Sequence, residues 1–250
     1  MMMIDAFKQI APQGNLDLFI FGDHASRYIP DEFDNLGLEG DDLTRHIAWD
    51  IGTEKIIRGL CAHFGCGGQL ASVSRLVIDL NRDPEAAGLI PPESDGTLIT
   101  RNRDLNKAER QARLNQYYNP YHDALSRALD GLDDPLVLSV HSFTPKPLLG
   151  ARRETDIGLL VKHDFDTAHR FQDHMKITAP QFNVGINKPY SAYDLNYTVD
   201  AHVGPRGFRH LAIELRQDLV DNGPDIDRMT KLLIETLEPL VKRSHISSPE

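Results

Sequence analysis

The sequence is poor in cysteine. Of its 250 residues only two are cysteines, Cys61 and Cys66, which are separated by four residues. Two cysteines cannot build a disulfide framework, and this favours a reducing compartment such as the cytoplasm. A cysteine-based zinc site would need two further ligands nearby, and none is evident. A packing role is therefore expected for both thiols.

Long apolar runs and an excess of positive charge are missing as well. No apolar run approaches the roughly 20 residues of a membrane-spanning helix. The first ten residues, MMMIDAFKQI, lack the basic and apolar regions of a secretory signal peptide. The 27 Lys and Arg residues are outnumbered by 37 Asp and Glu residues, so the net charge is −10. We therefore predict a cytoplasmic protein that binds neither nucleic acid nor a membrane.

What the sequence does contain is enough apolar surface for one large core. Hydrophobic residues make up 40% of the chain, and no repeat or low-complexity linker divides it, so we predict a single domain over 1–250. Apolar runs alternate with segments of helical periodicity, which predicts an α/β fold with a mostly parallel or mixed sheet and helices on both faces. Strands are expected within 16–26, 69–84, 135–143, 155–163, 182–191 and 209–219, helices at 41–65, 108–132, 166–179 and 224–243, and a long loop at 85–104.

Chemically capable side chains follow or end three of the predicted strands. Asp23 and His24 follow the first strand, His141 and Ser142 end the third, and Glu214 lies on a late strand. Ligands of α/β sheets bind beyond the carboxyl ends of the strands. An unpaired buried polar group costs about 1–3 kcal/mol, so several of them at one edge require partners. A metal ion can satisfy several such groups together.

Imidazole and carboxylate groups are suitable zinc ligands, and a catalytic zinc usually has three protein ligands and one open position. His46 and Asp50 are four residues apart in the predicted helix 41–65, which would place them on one helical face. The candidate ligands are therefore His24, His141 and either His46 or Asp50. The spacing of these residues is dispersed and does not define a metal motif by itself.

Other residues are candidates for substrate binding and proton transfer. Asn81 and Arg82 are expected at the end of a strand, where arginine can bind a carboxylate through two hydrogen bonds. Arg75 is expected either to bind substrate or to hold Asp79. Glu214 is the candidate general base for a metal-activated water molecule.

Ser142 and His202 are the remaining candidates for the substrate-binding site. Ser142 has no evident histidine and aspartate partners, so a supporting or substrate-binding role is expected rather than a nucleophilic one. His202 is expected to line the pocket. A nucleotide-binding Rossmann site is disfavoured, because GDHAS rather than a G-x-G-x-x-G turn follows the first strand.

Several short motifs occur in an order that resembles the N-formylglutamate amidohydrolase family. The likeness extends from about residue 17 to 219, and its most specific elements are the SR-V-DLNR and HS patterns. The motifs that carry it are DHAS, H…WD, SRLVIDLNR, NPYH, VHSF, DIGLL, N.PYS, T.DAH and IELRQDL.

The resemblance implies a fold like that of zinc carboxypeptidases and the aspartoacylase group, a phosphorylase/hydrolase-like architecture. It also implies two histidines and an acidic residue on zinc, an Asn-Arg pair for the substrate carboxylate and a late glutamate as base. Zinc carboxypeptidases have their acidic ligand three residues after the first histidine, where this sequence has Arg27. Asp50 is therefore the preferred acidic ligand and His46 the second choice. In chain order the implied site is His24, Asp50, Asn81, Arg82, His141 and Glu214.

The function implied by the resemblance is a zinc-dependent amidohydrolase that cleaves a small N-acyl amino acid such as N-formylglutamate, with Glu214 and Arg82 as catalytic residues. Two alternatives stay open. One is a carboxypeptidase-like peptidase or amidase on the same scaffold, and the other is a non-catalytic member that binds a small molecule. The sequence gives no indication of the oligomeric state.

Overall fold

A seven-stranded sheet forms the centre of the computed structural model, which describes residues 5–14 and 16–241. Two short strands, β4 and β5, form a separate hairpin. In chain order the strands are β1 (Phe7–Ile10), β2 (Leu18–Gly22), β3 (Gly67–Ala71), β4 (Glu93–Ser94), β5 (Thr97–Leu98), β6 (Leu136–Phe143), β7 (Ile157–Leu160), β8 (Val184–Ile186) and β9 (Arg209–Arg216).

The strand order across the sheet is β1-β3-β2-β6-β9-β7-β8. Neighbouring strands are parallel except at two places, where β1 pairs with β3 and β7 pairs with β9 in antiparallel fashion. The three central strands β2, β6 and β9 are parallel, so their carboxyl ends meet at one edge. The predicted mixed α/β sheet is confirmed.

Five α-helices flank the sheet, and capping residues set several of their ends. Asn106 accepts hydrogen bonds from the amides of Ala108 and Glu109 and so begins α2, while Gly65 adopts a left-handed conformation (φ 64°) and ends α1. A π-helical turn, Leu114–Tyr118, joins α2 to α3. The helices are α1 (Thr53–Phe64), α2 (Lys107–Arg113), α3 (Asn119–Asp130), α4 (Phe165–Thr178) and α5 (Gly223–Val241). Among the described residues, none of these helices combines the length and the apolar character needed to cross a bilayer.

Alternate residues of the central strands pack into two apolar layers. On β2, Leu18 and Ile20 belong to the layer formed with α1, α4 and α5, whereas Phe19 and Phe21 belong to the layer formed with α3. Both cysteines are buried thiols in the first layer, as their expected packing role requires. With both faces covered, polar side chains of the central strands are accommodated at the strand ends.

The predicted helix 41–65 is wrong in its first half, because α1 begins only at Thr53. Gly52 breaks the helical path with a φ of 85°, and a Cβ atom at this position would lie 2.6 Å from a carbonyl oxygen of the loop before α5. His46 consequently lies in a turn and Asp50 in irregular backbone, and the two do not share a helical face.

The second predicted strand region, 69–84, is also too long. Strand β3 ends at Ala71, and an irregular loop follows that carries Asn81 and Arg82. These two residues do not end a strand, as predicted, although the loop places them near the sheet edge. The predicted loop 85–104 contains the β4–β5 hairpin.

The remaining helical predictions agree closely with the structure. The predicted helix 108–132 corresponds to α2 and α3. The π-helical turn that precedes Pro120 separates these two helices. The predicted helix 224–243 corresponds to α5, and its last two residues lie outside the described part of the chain.

Candidate active site

Two parallel strands and two loops bring the predicted metal ligands together. His24 follows β2, His141 lies near the end of β6, and Asp50 lies in the loop before α1. All three are buried, with exposed fractions of 2–3%. Each offers one ligand atom, and these atoms lie within 4.8 Å of one another. We call these three residues the metal group.

The two histidines direct corresponding nitrogens at the same carboxylate oxygen. His24 Nδ1 is 3.4 Å and His141 Nδ1 is 2.9 Å from Asp50 Oδ2. His24 Nδ1 is fully buried and makes no hydrogen bond to any described residue. Because an unsatisfied buried nitrogen is costly, this atom requires a partner such as a metal ion.

The opposite ring nitrogens bind protein groups that orient both imidazoles. His24 Nε2 donates to Asp79 Oδ1 over 2.7 Å. His141 Nε2 is 2.8 Å from Ser139 Oγ and 3.7 Å from Asp23 Oδ2. A carboxylate or hydroxyl on the far nitrogen is the usual support for a metal-binding histidine. The donor set and its surroundings therefore fit a divalent metal ion such as zinc.

Asp50 is fixed from several sides. The backbone amide of Ser142 donates to Asp50 Oδ2 over 3.3 Å, and the Arg75 guanidinium donates to Asp50 Oδ1 over 3.3 Å. The Ser142 hydroxyl donates to the carbonyl of Ile51, the next residue. Ser142 therefore holds the loop that carries Asp50. Its hydroxyl proton is already used in the hydrogen bond to Ile51.

Arg75 connects the acidic ligand to the support of His24. Its second nitrogen donates to Asp79 Oδ2 over 2.9 Å while the first contacts Asp50. Of its two predicted roles, the structure thus favours the ion pair with Asp79 over direct substrate binding. The guanidinium holds the carboxylates of Asp50 and Asp79 beside the metal group.

The charges in this cluster shift the pKa values of its members. Burial alone would raise the pKa of Asp50, but His24, His141 and Arg75 hold it well below its ordinary range. Burial would likewise raise the pKa of Asp79, and Arg75 and His24 lower it. Both carboxylates are therefore ionised at neutral pH and available as ligand and support.

Glu214 lies beside the metal group. It occupies the position on β9 that is paired with His141 on β6, and its carboxylate makes no hydrogen bond to any described residue. Burial raises the pKa of Glu214 to about 7, with the charge of His141 acting in the opposite direction. Gly158 lies across from Glu214 on β7, and its missing Cβ leaves room for the loop of Lys188.

A cavity of about 190 Å³ opens beside these residues. The metal group and Glu214 form one part of its wall, and Asn81 and Arg82 form another. The full lining is His24, His46, Asp50, Arg75, Asp79, Asn81, Arg82, His141, Ser142, Phe143, Thr144, Leu160, Tyr190, Leu195, Asn196 and Glu214.

The loop that carries Asn81 and Arg82 is held by hydrogen bonds from behind. Thr198 N donates to Asn81 Oδ1 over 3.0 Å, which leaves the amide nitrogen of Asn81 for a ligand. Tyr118 Oη donates to the Arg82 carbonyl over 2.8 Å. The Arg82 side chain is 38% exposed, and its closest described anion is Asp79, 3.8 Å away.

Two predicted site residues occupy other places. His46 is not part of the metal group, because its Nε2 pairs with Asp95 Oδ2 at 3.0 Å on the rim of the cavity. His202 does not line the cavity as predicted, since its ring stacks on His122 and its Nε2 lies 2.8 Å from His122 Nδ1. In both cases the imidazole binds a polar partner outside the metal group, Asp95 for His46 and His122 for His202.

Sequence reasoning missed Tyr190 and Asn196 in the cavity wall. Tyr190 packs against Phe143 and under the guanidinium of Arg153, 4.6 Å from its ring centre. The N.PYS motif contains Tyr190 and was a usable signal. Asn196 lies in a polar loop with no pattern that distinguishes it from a surface residue.

The fold and the site together define a class of α/β protein with a candidate metal site at the carboxyl edge of a mixed sheet, beside a buried glutamate. Comparison with known sequences supplies the particular family: the model of the N-formylglutamate amidohydrolase family matches residues 16–220, and the chain belongs to this family. It is accordingly a hydrolase that acts on a non-peptide amide bond. No curated protein matches the chain.

Two solved structures share the whole architecture. The gene product Atu2144 from Agrobacterium tumefaciens is 32% identical, with a TM-score of 0.87 over 95% of this chain and 97% of that one. N-formylglutamate amidohydrolase from Ralstonia eutropha JMP134 is 21% identical, with a TM-score of 0.70 and the same coverage of both chains. The second likeness establishes the fold.

Proposed function

We propose that this protein is a metal-dependent amidohydrolase that releases the acyl group from a small N-acyl amino acid of the N-formylglutamate type. The observation that carries the metal dependence is the fully buried His24 Nδ1, which has no hydrogen-bond partner in the described part of the chain and faces Asp50 beside His141. The family supports the amide bond as the target.

Three atoms of the chain would hold the metal ion: Nδ1 of His24, Oδ2 of Asp50 and Nδ1 of His141. Two imidazoles and one carboxylate are a common ligand set of catalytic zinc. When bound, the cation supplies Lewis acidity, polarising the acyl carbonyl and lowering the pKa of water. Arg75 and Asp79 keep Asp50 and His24 in position for this role.

Glu214 is the proposed general base. It lies next to His141 on the neighbouring strand, lines the cavity and has no competing hydrogen bond among the described residues. It takes a proton from the attacking water and delivers it to the amide nitrogen as the carbon–nitrogen bond breaks and a carbon–oxygen bond forms. The products are a carboxylic acid and a free amino acid.

Arg82 and Asn81 are proposed to bind the carboxylate of the amino acid. Their side chains line the cavity and carry hydrogen-bond donors, whereas Asp50 and Glu214 carry charges that would repel a carboxylate. The cavity, at about 190 Å³, is smaller than the sites that hold drug-sized ligands and therefore favours a small substrate over a peptide.

Metal analysis of purified protein tests the metal group. We expect stoichiometric zinc in the wild type, strongly reduced zinc in His141→Ala, and wild-type zinc in the control His63→Ala, whose side chain is exposed and pairs with Glu238. Circular dichroism verifies that each variant is folded. Equal metal content in wild type and His141→Ala would contradict the proposal.

A substrate panel tests the reaction. N-formyl, N-acetyl and N-succinyl amino acids are offered beside short peptides, and release of the free amino acid is measured. Hydrolysis of the N-formyl compounds is expected to be the fastest. Preferred cleavage of peptides would indicate a carboxypeptidase-like enzyme, and binding without turnover of any compound would indicate a non-catalytic protein.

A further inference from the structure

Asn196 is a buried cavity residue whose side-chain nitrogen has no partner. The residue is only 5% exposed, lines the cavity and lies in the loop that follows β8. Its Nδ2 is fully buried and makes no hydrogen bond to any described residue. An unsatisfied buried amide costs about 1–3 kcal/mol, so a ligand that satisfies it gains the corresponding stabilisation.

Hydrogen bonds connect the backbone after Asn196 to the loop that carries Asn81 and Arg82. The Asp200 amide donates to the Asn196 carbonyl over 3.0 Å, beginning the π-helical turn Val199–Val203. Thr198, two residues after Asn196, is completely buried and donates from its backbone amide to Asn81 Oδ1. Its hydroxyl is 3.1 Å from the Leu80 carbonyl. Asn196 and Asn81 thus belong to one wall of the cavity.

The side chains of Asn81, Arg82 and Asn196 carry hydrogen-bond donors that are available to a ligand. The oxygen of the Asn81 amide is occupied by Thr198, so its nitrogen is the end left for a ligand. The Arg82 guanidinium is partly exposed and has only a distant anion. Asn196 lines the same cavity and carries an unpaired buried amide nitrogen, so donors of two chemical types are available for a carboxylate with its four acceptor sites.

We infer that Asn196 is a substrate-binding residue whose side-chain N–H donates to the substrate α-carboxylate held by Asn81 and Arg82. The inference rests on the proposed function, because that function identifies the ligand as an N-acyl amino acid. The carboxylate binds to Asn81, Arg82 and Asn196, and the scissile amide points to Glu214 and the metal group, which line the same cavity. Asn196 therefore contributes to recognition of the acid group and takes no part in proton transfer.

Isothermal titration calorimetry with a variant that does not hydrolyse its substrate measures substrate binding separately from catalysis. Zinc-loaded Glu214→Gln protein is titrated with N-formyl-L-glutamate and with its analogue in which the α-carboxylate is a neutral amide. Adding Asn196→Ala should weaken binding of the acid about tenfold, equivalent to about 1.4 kcal/mol. Binding of the analogue should change less than threefold, since a neutral amide gains less from the lost donor. Asn196→Asp should weaken binding of the acid further through charge repulsion.

The control is Asn115→Ala, an exposed asparagine outside the cavity lining, which should leave both affinities unchanged. Metal content and melting temperature are measured for every variant, so that a damaged site is recognised. Equal weakening of both ligands by Asn196→Ala, or no weakening, would overturn the role of Asn196 while leaving the proposed function intact. Failure of the parent protein to bind either compound would overturn the proposed function and this assignment with it.

Discussion

Each histidine of the metal group uses one ring nitrogen for the protein and leaves the other facing Asp50. His24 is held by Asp79 and His141 by Ser139, at 2.7 and 2.8 Å. A ring fixed at one nitrogen presents the second in a defined direction, which is the function of such supports at metal sites. Their arrangement explains how a site can be ordered by side chains that are not themselves ligands.

Replacement of Glu214 by glutamine tests its role as the base, because it exchanges one carboxylate oxygen for an amide nitrogen. Glutamine has the same shape but cannot accept the proton, so kcat should fall by about 10²–10⁴-fold. Metal content should be unchanged, because Glu214 is not a member of the metal group. Hydrolysis of N-formyl-L-glutamate and elemental analysis on the same preparation measure both quantities.

The control for this change is Glu235→Gln, which removes an exposed carboxylate on α5 that pairs with Lys231. It should keep wild-type turnover. A Glu214→Gln enzyme with normal kcat would exclude Glu214 as the base, whereas loss of zinc from that variant would place it in the metal shell instead.

At the scale of elements, the segment α2–α3 supports the loop that carries Asn81 and Arg82. Tyr118 binds the Arg82 carbonyl, and His122 Nε2 donates to the Leu80 carbonyl over 3.0 Å. With that nitrogen donating, the neutral His122 ring accepts a hydrogen bond from His202 Nε2 at its Nδ1. The irregular loop therefore takes its shape from a helix on one side and from Thr198 on the other.

This support predicts a pH dependence of stability. Burial and the neighbouring His202 lower the pKa of His122 to about 3, although the Leu80 carbonyl acts to raise it. Between pH 6.5 and pH 3 the unfolded chain therefore binds a proton at His122 that the folded chain does not, so His122 makes stability fall as pH falls. Its contribution is at most about 1.4 kcal/mol per pH unit.

Urea unfolding at pH 7.0 and at pH 5.0 measures this effect. His122→Gln keeps a donor and an acceptor but cannot bind a proton, so its loss of unfolding free energy between the two pH values should be smaller than that of the wild type. The control His169→Gln, at an exposed position of α4, should lose as much as the wild type. Parallel losses in His122→Gln and wild type would contradict the protonation argument.

At the scale of the whole molecule, the sequence predicted best what depends on periodicity. Strands β6 and β9 and helices α4 and α5 lie close to their predicted places, because their apolar residues recur at regular intervals. His24 and His141 could be placed at one sheet edge for the same reason. Periodicity offered Asp50 as an alternative to His46 but assigned both to a helix, and the family resemblance made Asp50 the preferred acidic ligand.

What the sequence could not predict is decided by contacts between distant segments. His46 and Asp50 are both possible metal ligands, but only Asp50 lies against the two histidines. Gly52 turns the chain there, and His46 pairs with Asp95 instead. His202 was separated from the cavity by its contact with His122. Such pairings leave no local pattern in a single sequence, and covariation across many homologous sequences would be needed to detect them.

The metal group joins parts of the fold that are far apart in sequence, so an ion bound there would contribute to global stability. Its three ligands come from β6, from the loop after β2 and from the loop before α1, and the unfolded chain does not hold them together. A cation at 100 times its Kd would stabilise the folded state by about 2.7 kcal/mol, or roughly 5–10 °C in melting temperature for a chain of this size. We therefore expect a chelator to lower the Tm of the wild type by that amount, added zinc to restore it, and His141→Ala to show neither response. A wild-type Tm that is indifferent to both treatments would show that these segments are held by packing alone.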